Sequence, residues 1–128
     1  MSLNYLMIGS NDLDRSRTFY DAVMAAIGGS IAADYPGFAF SYKFAEGGRV
    51  WIATPNNKEA AVPGNGMMPG FSVSGPDEVR AAHAVALAHG GTNEGDPGPR
   101  PQYGPDFFGG YVRDPDGNKM SFVVAGDH

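Results

Sequence analysis

Tyr103 to Val124, YGPDFFGGYVRDPDGNKMSFVV, decides how the rest of the chain is read. Phe107 to Arg113 carries aromatic and β-branched residues around two glycines, and Met120 to Val124 is apolar save for Ser121, so both segments read as strands. Asp114-Pro115-Asp116-Gly117-Asn118 stands between them. Proline presets φ for the first turn position, and glycine supplies the left-handed residue of a type I turn with a bulge. Pairing Asp114 with Asn118 sets Tyr111 opposite Ser121 and Gly109 opposite Val123 on one face, with Phe107 further along it. Val112, Phe122 and Met120 then occupy the other face, an assignment that a one-residue slip would reverse.

Outward from this hairpin the chain repeats a pattern. Asn4 to Ser10 (NYLMIGS) is a continuous apolar run, expected to be a strand buried on both faces. Asp12 is placed to cap a helix whose stripe is Leu13, Tyr20, Met24 and Ile27 with Val23 alongside, and Gly28-Gly29 closes it. Ile31 to Tyr35, Phe38 to Phe44 and Arg49 to Thr54 read as strands parted by Pro36-Gly37 and Glu46-Gly47-Gly48. A Pro/Asn/Gly-rich linker over 55–69 follows. Gly70 to Ser74 resumes as a strand, and Pro76, Asp77 and Glu78 open a second helix with Val79, Ala82 and Ala86 inward. Ala-His-Gly-Gly at 88–91 ends that helix as Ala-Ile-Gly-Gly ends the first at 26–29. Thr92 to Pro101 reads as at most a short strand and a loop. The order implies an internal duplication of two βαβββ modules, about 4–54 and 70–125, within one domain over 1–128.

The whole is an α+β chain of 128 residues with 42% hydrophobic and 18% charged content, ordinary for a globular domain with a single core. No run reaches the ~20 apolar residues of a membrane helix, and no signal segment opens the chain, so a cytoplasmic location is expected. Zero cysteines excludes disulfides and thiolate metal sites. Fourteen acidic against nine basic residues leave a net charge of −5, and the basic residues form no cluster able to track phosphates, so nucleic acid is not an expected partner. Gly-x-Ser-x-Gly, phosphate-loop and dinucleotide signatures are missing.

The aromatic strand, the Arg-Asp-Pro-Asp-Gly-Asn turn and the short apolar strand resemble the end of a vicinal oxygen chelate domain, the superfamily of glyoxalase I, bleomycin-resistance proteins and extradiol dioxygenases. Ile8-Gly9-Ser10-Asn11-Asp12-Leu13 followed by Arg17-Thr18-Phe19-Tyr20-Asp21 resembles its opening strand and helix. The resemblance implies that curved mixed sheets form a cup around a ligand, and that metal-using members place one His or Glu on each of four strands. In this sequence those positions hold Tyr5, Gly70, Ser121 and a residue of Val50 to Ala53, taken as Ile52, so neither a metal nor another cofactor is expected. His83 and His89 lie about 240° apart on one helix and cannot chelate one ion. They read as surface or helix-end imidazoles, and His128 as terminal. Asp12, Asp114, Pro115, Asp116 and Gly117 are assigned to structure.

Strand alternation from those positions turns Tyr5, Met7 and Gly9, then Gly70, Ser72 and Ser74, then Ser121, Val123, Tyr111 and Phe107 into the cup, with Trp51 joining if its register allows. Arg100, Gln102 and Tyr103 supply a rim. Each aromatic here also reads as core filling when taken alone. The expected ligand-binding set is Tyr5, Met7, Trp51, Gly70, Ser72, Arg100, Tyr103, Phe107, Tyr111 and Ser121, with no catalytic residue. That set suits a metal-free protein binding a small organic molecule, and the resemblance implies a homodimer. Bleomycin-binding relatives, which hold a cationic drug between subunits, would imply acidic clefts. The alternatives are a metal-dependent lyase or isomerase of the glyoxalase I type and a regulatory or protein-interaction module.

Overall fold

The computed structural model describes residues 2–124. The elements run β1 (Tyr5–Gly9), α1 (Leu13–Ala26), β2 (Ser30–Tyr35), β3 (Ala39–Lys43), β4 (Arg49–Ala53), β5 (Gly70–Val73), α2 (Pro76–Ala88), β6 (Thr92–Pro99), β7 (Phe108–Arg113) and β8 (Lys119–Val124), with a 3-10 turn at Pro101–Tyr103. Two four-stranded mixed sheets result, ordered β1-β4-β3-β2 and β5-β8-β7-β6, so the two halves share one topology. In each, the first strand lies parallel to the last and the remaining pairs are antiparallel. The α+β duplication read from the sequence is the observed architecture.

The closing hairpin takes the expected register, with Tyr111 opposite Ser121 and Gly109 opposite Val123. Gly117 adopts φ +91, the left-handed conformation its turn requires. Asp114 accepts the backbone N–H groups of Asp116 and Asn118 on Oδ1 and the Tyr20 hydroxyl on Oδ2. Asp116 accepts Arg15 at 2.9 Å and the backbone N–H of Asn11 at 3.0 Å. The turn therefore ties the second half to the start of α1.

Val112, Met120 and Phe122 on the inner face of the hairpin join Ile8, Phe40, Tyr42, Val50 and Ile52 from the first sheet in a single buried cluster. Phe19, Tyr20, Val23 and Met24 of α1 and Val79, Ala82 and Ala86 of α2 complete it, all wholly inaccessible. Asp12 caps α1 by accepting the Arg15 N–H, and Gly28 leaves the helix at φ +90. Pro76 opens α2 where a missing N–H costs nothing.

Four expectations are corrected. Thr92–Pro99 is an eight-residue edge strand, not a short strand and loop, bent by register shifts at Asn93/Gly95 and Gly95/Gly98. An edge position and bulges are where a strand tolerates Pro97 and Pro99. The first strand is buried on one face only, because Tyr5 and Met7 are 54% and 56% exposed. His83 is not a surface imidazole: it is buried, with Nε2 at 3.0 Å from Asn93 Oδ1. Ser74 is not among the residues lining the cavity of the second sheet, and its hydroxyl donates to Glu78 at the start of α2. His89 remains exposed at its helix end, while His128 and residue 125 lie outside the described residues.

Candidate functional site

The open face of the second sheet encloses a cavity of about 680 Å³. Its floor alternates off three strands: Gly70 and Ser72 from β5, Ser121 and Val123 from β8, and Tyr111 from β7. Glu94 and Gly95 of the edge strand form one wall and Lys119 enters from the start of β8. Arg100, Gln102 and Tyr103 arch over it from the 3-10 turn, which is pinned by the Arg100 N–H donating to the Phe107 carbonyl at 3.2 Å.

The aromatic rings are held by packing. Tyr103 meets Phe107 edge to face at 5.3 Å between centroids, and Phe107 lies over Gly109, where an added Cβ would come within 3.0 Å of the ring. Gly70 leaves room for the Ser121 hydroxyl, which would stand 3.1 Å from a Cβ there. Gly95 is required by Tyr111, whose ring would meet a Cβ at 2.9 Å. Burial pushes the Tyr111 phenol above its ordinary pKa, with nearby Arg100 pulling the other way. The group is thus a neutral hydroxyl near pH 7, able to donate or accept a hydrogen bond. Glu94, the carboxylate of the lining, is held below its usual range by its ion pair with Arg113.

Seven members of the expected set, Gly70, Ser72, Arg100, Tyr103, Phe107, Tyr111 and Ser121, meet in this one cavity. Tyr5, Met7 and Trp51 do not. They occupy the open face of the first sheet, where parallel pairing sets Met7 opposite Trp51. Trp51 is partly exposed and stacks on Tyr35 at 6.1 Å with 9° between planes. The same register corrects the choice of Ile52, which faces the core and is wholly buried. Within one chain the cup is therefore two separate open faces. Glu94, Gly95, Lys119 and Met68 were missed. Lys119 was legible, since it stands two residues before Ser121 and alternation puts both on one face. Glu94 and Gly95 lie on the strand whose composition concealed it.

A profile of the Glyoxalase/Bleomycin resistance protein/Dioxygenase superfamily matches residues 2–122. The chain belongs to this superfamily. A glyoxalase/bleomycin resistance protein from Albidiferax ferrireducens T118 is 36% identical over 97% of this chain and 98% of its own, with a TM-score of 0.85. A glyoxalase-related enzyme from Fulvimarina pelagi is 21% identical, covering 98% of this chain and 88% of its own at a TM-score of 0.78. Lactoylglutathione lyase from Agrobacterium tumefaciens is 17% identical, covering 97% and 93% at a TM-score of 0.70, a likeness of fold. No curated protein matches the chain.

Metal use in the superfamily can be tested on the donors present. The positions implied for ligands are a phenol at Tyr5, an indole at Trp51, no side chain at Gly70 and a hydroxyl at Ser121. Among the described residues no three His, Asp, Glu or Cys side chains converge as a metal site requires. Such a set does not fit a first-row divalent ion, and no chemical step is drawn through one. Among the described residues the cavity lining includes no imidazole either. What its residues can do is stack on a flat apolar body and orient polar groups through hydroxyls and cations.

Proposed function

We propose that this superfamily member binds a small organic molecule in the cavity of its second sheet, without a divalent ion. The carrying observation is the convergence of Tyr111, Phe107 and Tyr103 with Ser72, Ser121 and Arg100 around one space of about 680 Å³. That volume lies within the ~300–1,000 Å³ range of ligand pockets. Three aromatic rings supply contact area and the hydroxyls and guanidinium supply orientation. Saturation-transfer NMR with small bicyclic aromatics tests the reading, run with and without a chelator. Binding is expected in both conditions. Gly95→Val, whose Cβ intrudes on Tyr111, is expected to weaken it at least ~10-fold and to cost about 1–3 kcal/mol of stability, so binding is compared under conditions where urea unfolding shows the variant folded. Binding that vanishes with chelation would favour the metal-dependent lyase instead.

We further propose a homodimer in which the open face of the first sheet is covered by a second copy. Tyr5, Met7 and Tyr35 are each more than half exposed beside Trp51, an apolar patch of the kind that marks an interface. Sedimentation velocity is expected to give a dimer for the parent chain and a monomer for Met7→Glu, which sets a charge in the middle of the patch. A monomeric parent would end the dimer proposal and leave the cavity reading standing.

A further inference from the structure

The charges around the cavity are opposite in sign to the chain as a whole. Net charge is −5, yet among the described residues the charged ones lining the space are Arg100, Lys119 and Glu94. Glu94 is already paired with Arg113. Arg100 and Lys119 form no ion pair among the described residues. Both instead lie over the Tyr111 ring, the guanidinium carbon at 5.4 Å and the ammonium nitrogen at 5.9 Å from its centroid.

Arg100 is seated rather than loose. Its Nη1 donates to the Pro99 carbonyl at 3.2 Å and its Nη2 to the Asp96 carbonyl at 2.7 Å. These are neutral acceptors, so they fix the fork without cancelling its charge, and three of its five N–H groups are left for another partner. Two glycines make the seat. A Cβ on Gly98 would stand 3.2 Å from Nη1 and one on Gly95 3.4 Å from Nη2. Arg100 as a whole is half-buried, and a charge-assisted hydrogen bond from it is stronger than a neutral one.

Resting on the cavity reading above, we propose that the ligand is an organic anion: a flat aromatic or unsaturated body held among Tyr103, Phe107 and the edge of Tyr111, carrying a carboxylate received by Arg100 and Lys119. The Ser72 and Ser121 hydroxyls, on the floor of the cavity, serve a second polar group. This assignment runs against a cationic drug. A cation would have to approach Arg100 and Lys119, with Glu94, the carboxylate among the described lining residues, already facing Arg113 and Lys119.

Three probes of one shape separate charge from fit: 2-naphthoate, 2-naphthamide and 2-naphthylmethylamine, titrated calorimetrically into the full chain at low and at moderate salt. Naphthoate is expected to bind at least ~10-fold more tightly than the amide, and the amine more weakly than either. Added salt weakens naphthoate alone. Arg100→Gln is expected to lower naphthoate affinity ~10-fold and the amide's by no more than ~3-fold, with Lys119→Gln acting the same way to a smaller extent. Equal melting temperatures for the variants establish that the loss is local. An amide that binds as well as naphthoate, or an Arg100→Gln that weakens both equally, overturns the anion assignment while sparing the cavity. Failure of all three probes overturns both.

Discussion

Asp114→Ala is expected to remove about 3–5 kcal/mol of folding stability, the loss typical of breaking a buried charged network from one side. The carboxylate is 3% exposed and serves four donors. Oδ1 takes the N–H groups of Asp116 and Asn118, both at 2.9 Å. Oδ2 takes the Asn118 amide at 2.9 Å and the Tyr20 hydroxyl at 2.5 Å. Tyr20 is itself wholly buried, and burial together with Asp114 raises its phenol well above the ordinary value, so it stays a neutral donor. Alanine orphans that hydroxyl and loosens the turn in one step, each stranded donor costing roughly 1–3 kcal/mol. Tyr20→Phe removes one of four donors and is expected to cost only about 1 kcal/mol. Asp114→Asn falls between, because its amide nitrogen must face groups that also donate. Urea unfolding measures all three. An Asp114→Ala value within about 1 kcal/mol of the parent would show that the turn and α1 are held together by something else.

That bond also explains why the closing hairpin was so readable. Turn chemistry is local, and Asp-Pro-Asp-Gly-Asn fixes the register by backbone geometry before any tertiary contact is known. From the register follow the faces, and from the faces Tyr111, Ser121 and the buried trio Val112, Met120 and Phe122. Where a strand lacks such punctuation, parity is lost. YLMIG has no polar residue to mark a solvent face, so the sequence carries no sign that Tyr5 and Met7 face outward while Leu6 and Ile8 face the core. In RVWIA, Trp51 and Ile52 are equally plausible inward residues by composition. Only the non-local pairing with Met7 decides between them. Thr92–Pro99 has no apolar alternation, and its glycines and prolines conceal a strand held by β7 alone. His83 illustrates the converse error. It lies four residues after Val79 and three before Ala86, squarely on the inward stripe, and its imidazole diverted the reading from its position.

The relation between the two open faces lies further from what sequence can give. Alternation assigns each side chain to a face of its own sheet, whereas how the sheets are disposed depends on packing between helices and on the Asp114 and Asp116 bonds to α1. A cup drawn from Tyr5, Trp51, Tyr111 and Ser121 together was thus a statement about faces, and within one chain those faces are apart. The separation is also what gives the dimer experiment its weight, since a second copy is one way to cover the aromatic face that the chain leaves open.

Gly91→Ala carries the other large effect, and it separates two ways of reading glycine. Gly90 has φ +99, the left-handed region, while its Cβ direction meets nothing nearer than Pro115 at 3.5 Å. Gly91 is not in that region, yet a Cβ there would stand 2.8 Å from both the Ala86 carbonyl oxygen and the Phe19 ring, and 3.0 Å from the Arg113 carbonyl oxygen. Two of these neighbours are backbone, from α2 and β7, and the third is a ring with no exposure at all. None can swing aside as a flexible chain end would. Overpacking of this kind costs about 1–3 kcal/mol, and three rigid neighbours place Gly91→Ala at about 3. Gly90→Ala is expected to cost about 1–2 kcal/mol from backbone strain alone. Conformational preference by itself would rank the two the other way, so their order in urea unfolding is decisive. If Gly91→Ala is the milder change, the close approach of α1, α2 and β7 at this point is softer than described. The strand that leaves Gly91 carries Glu94 and Gly95 into the cavity wall, so its displacement is also expected to weaken naphthoate binding in protein that remains folded.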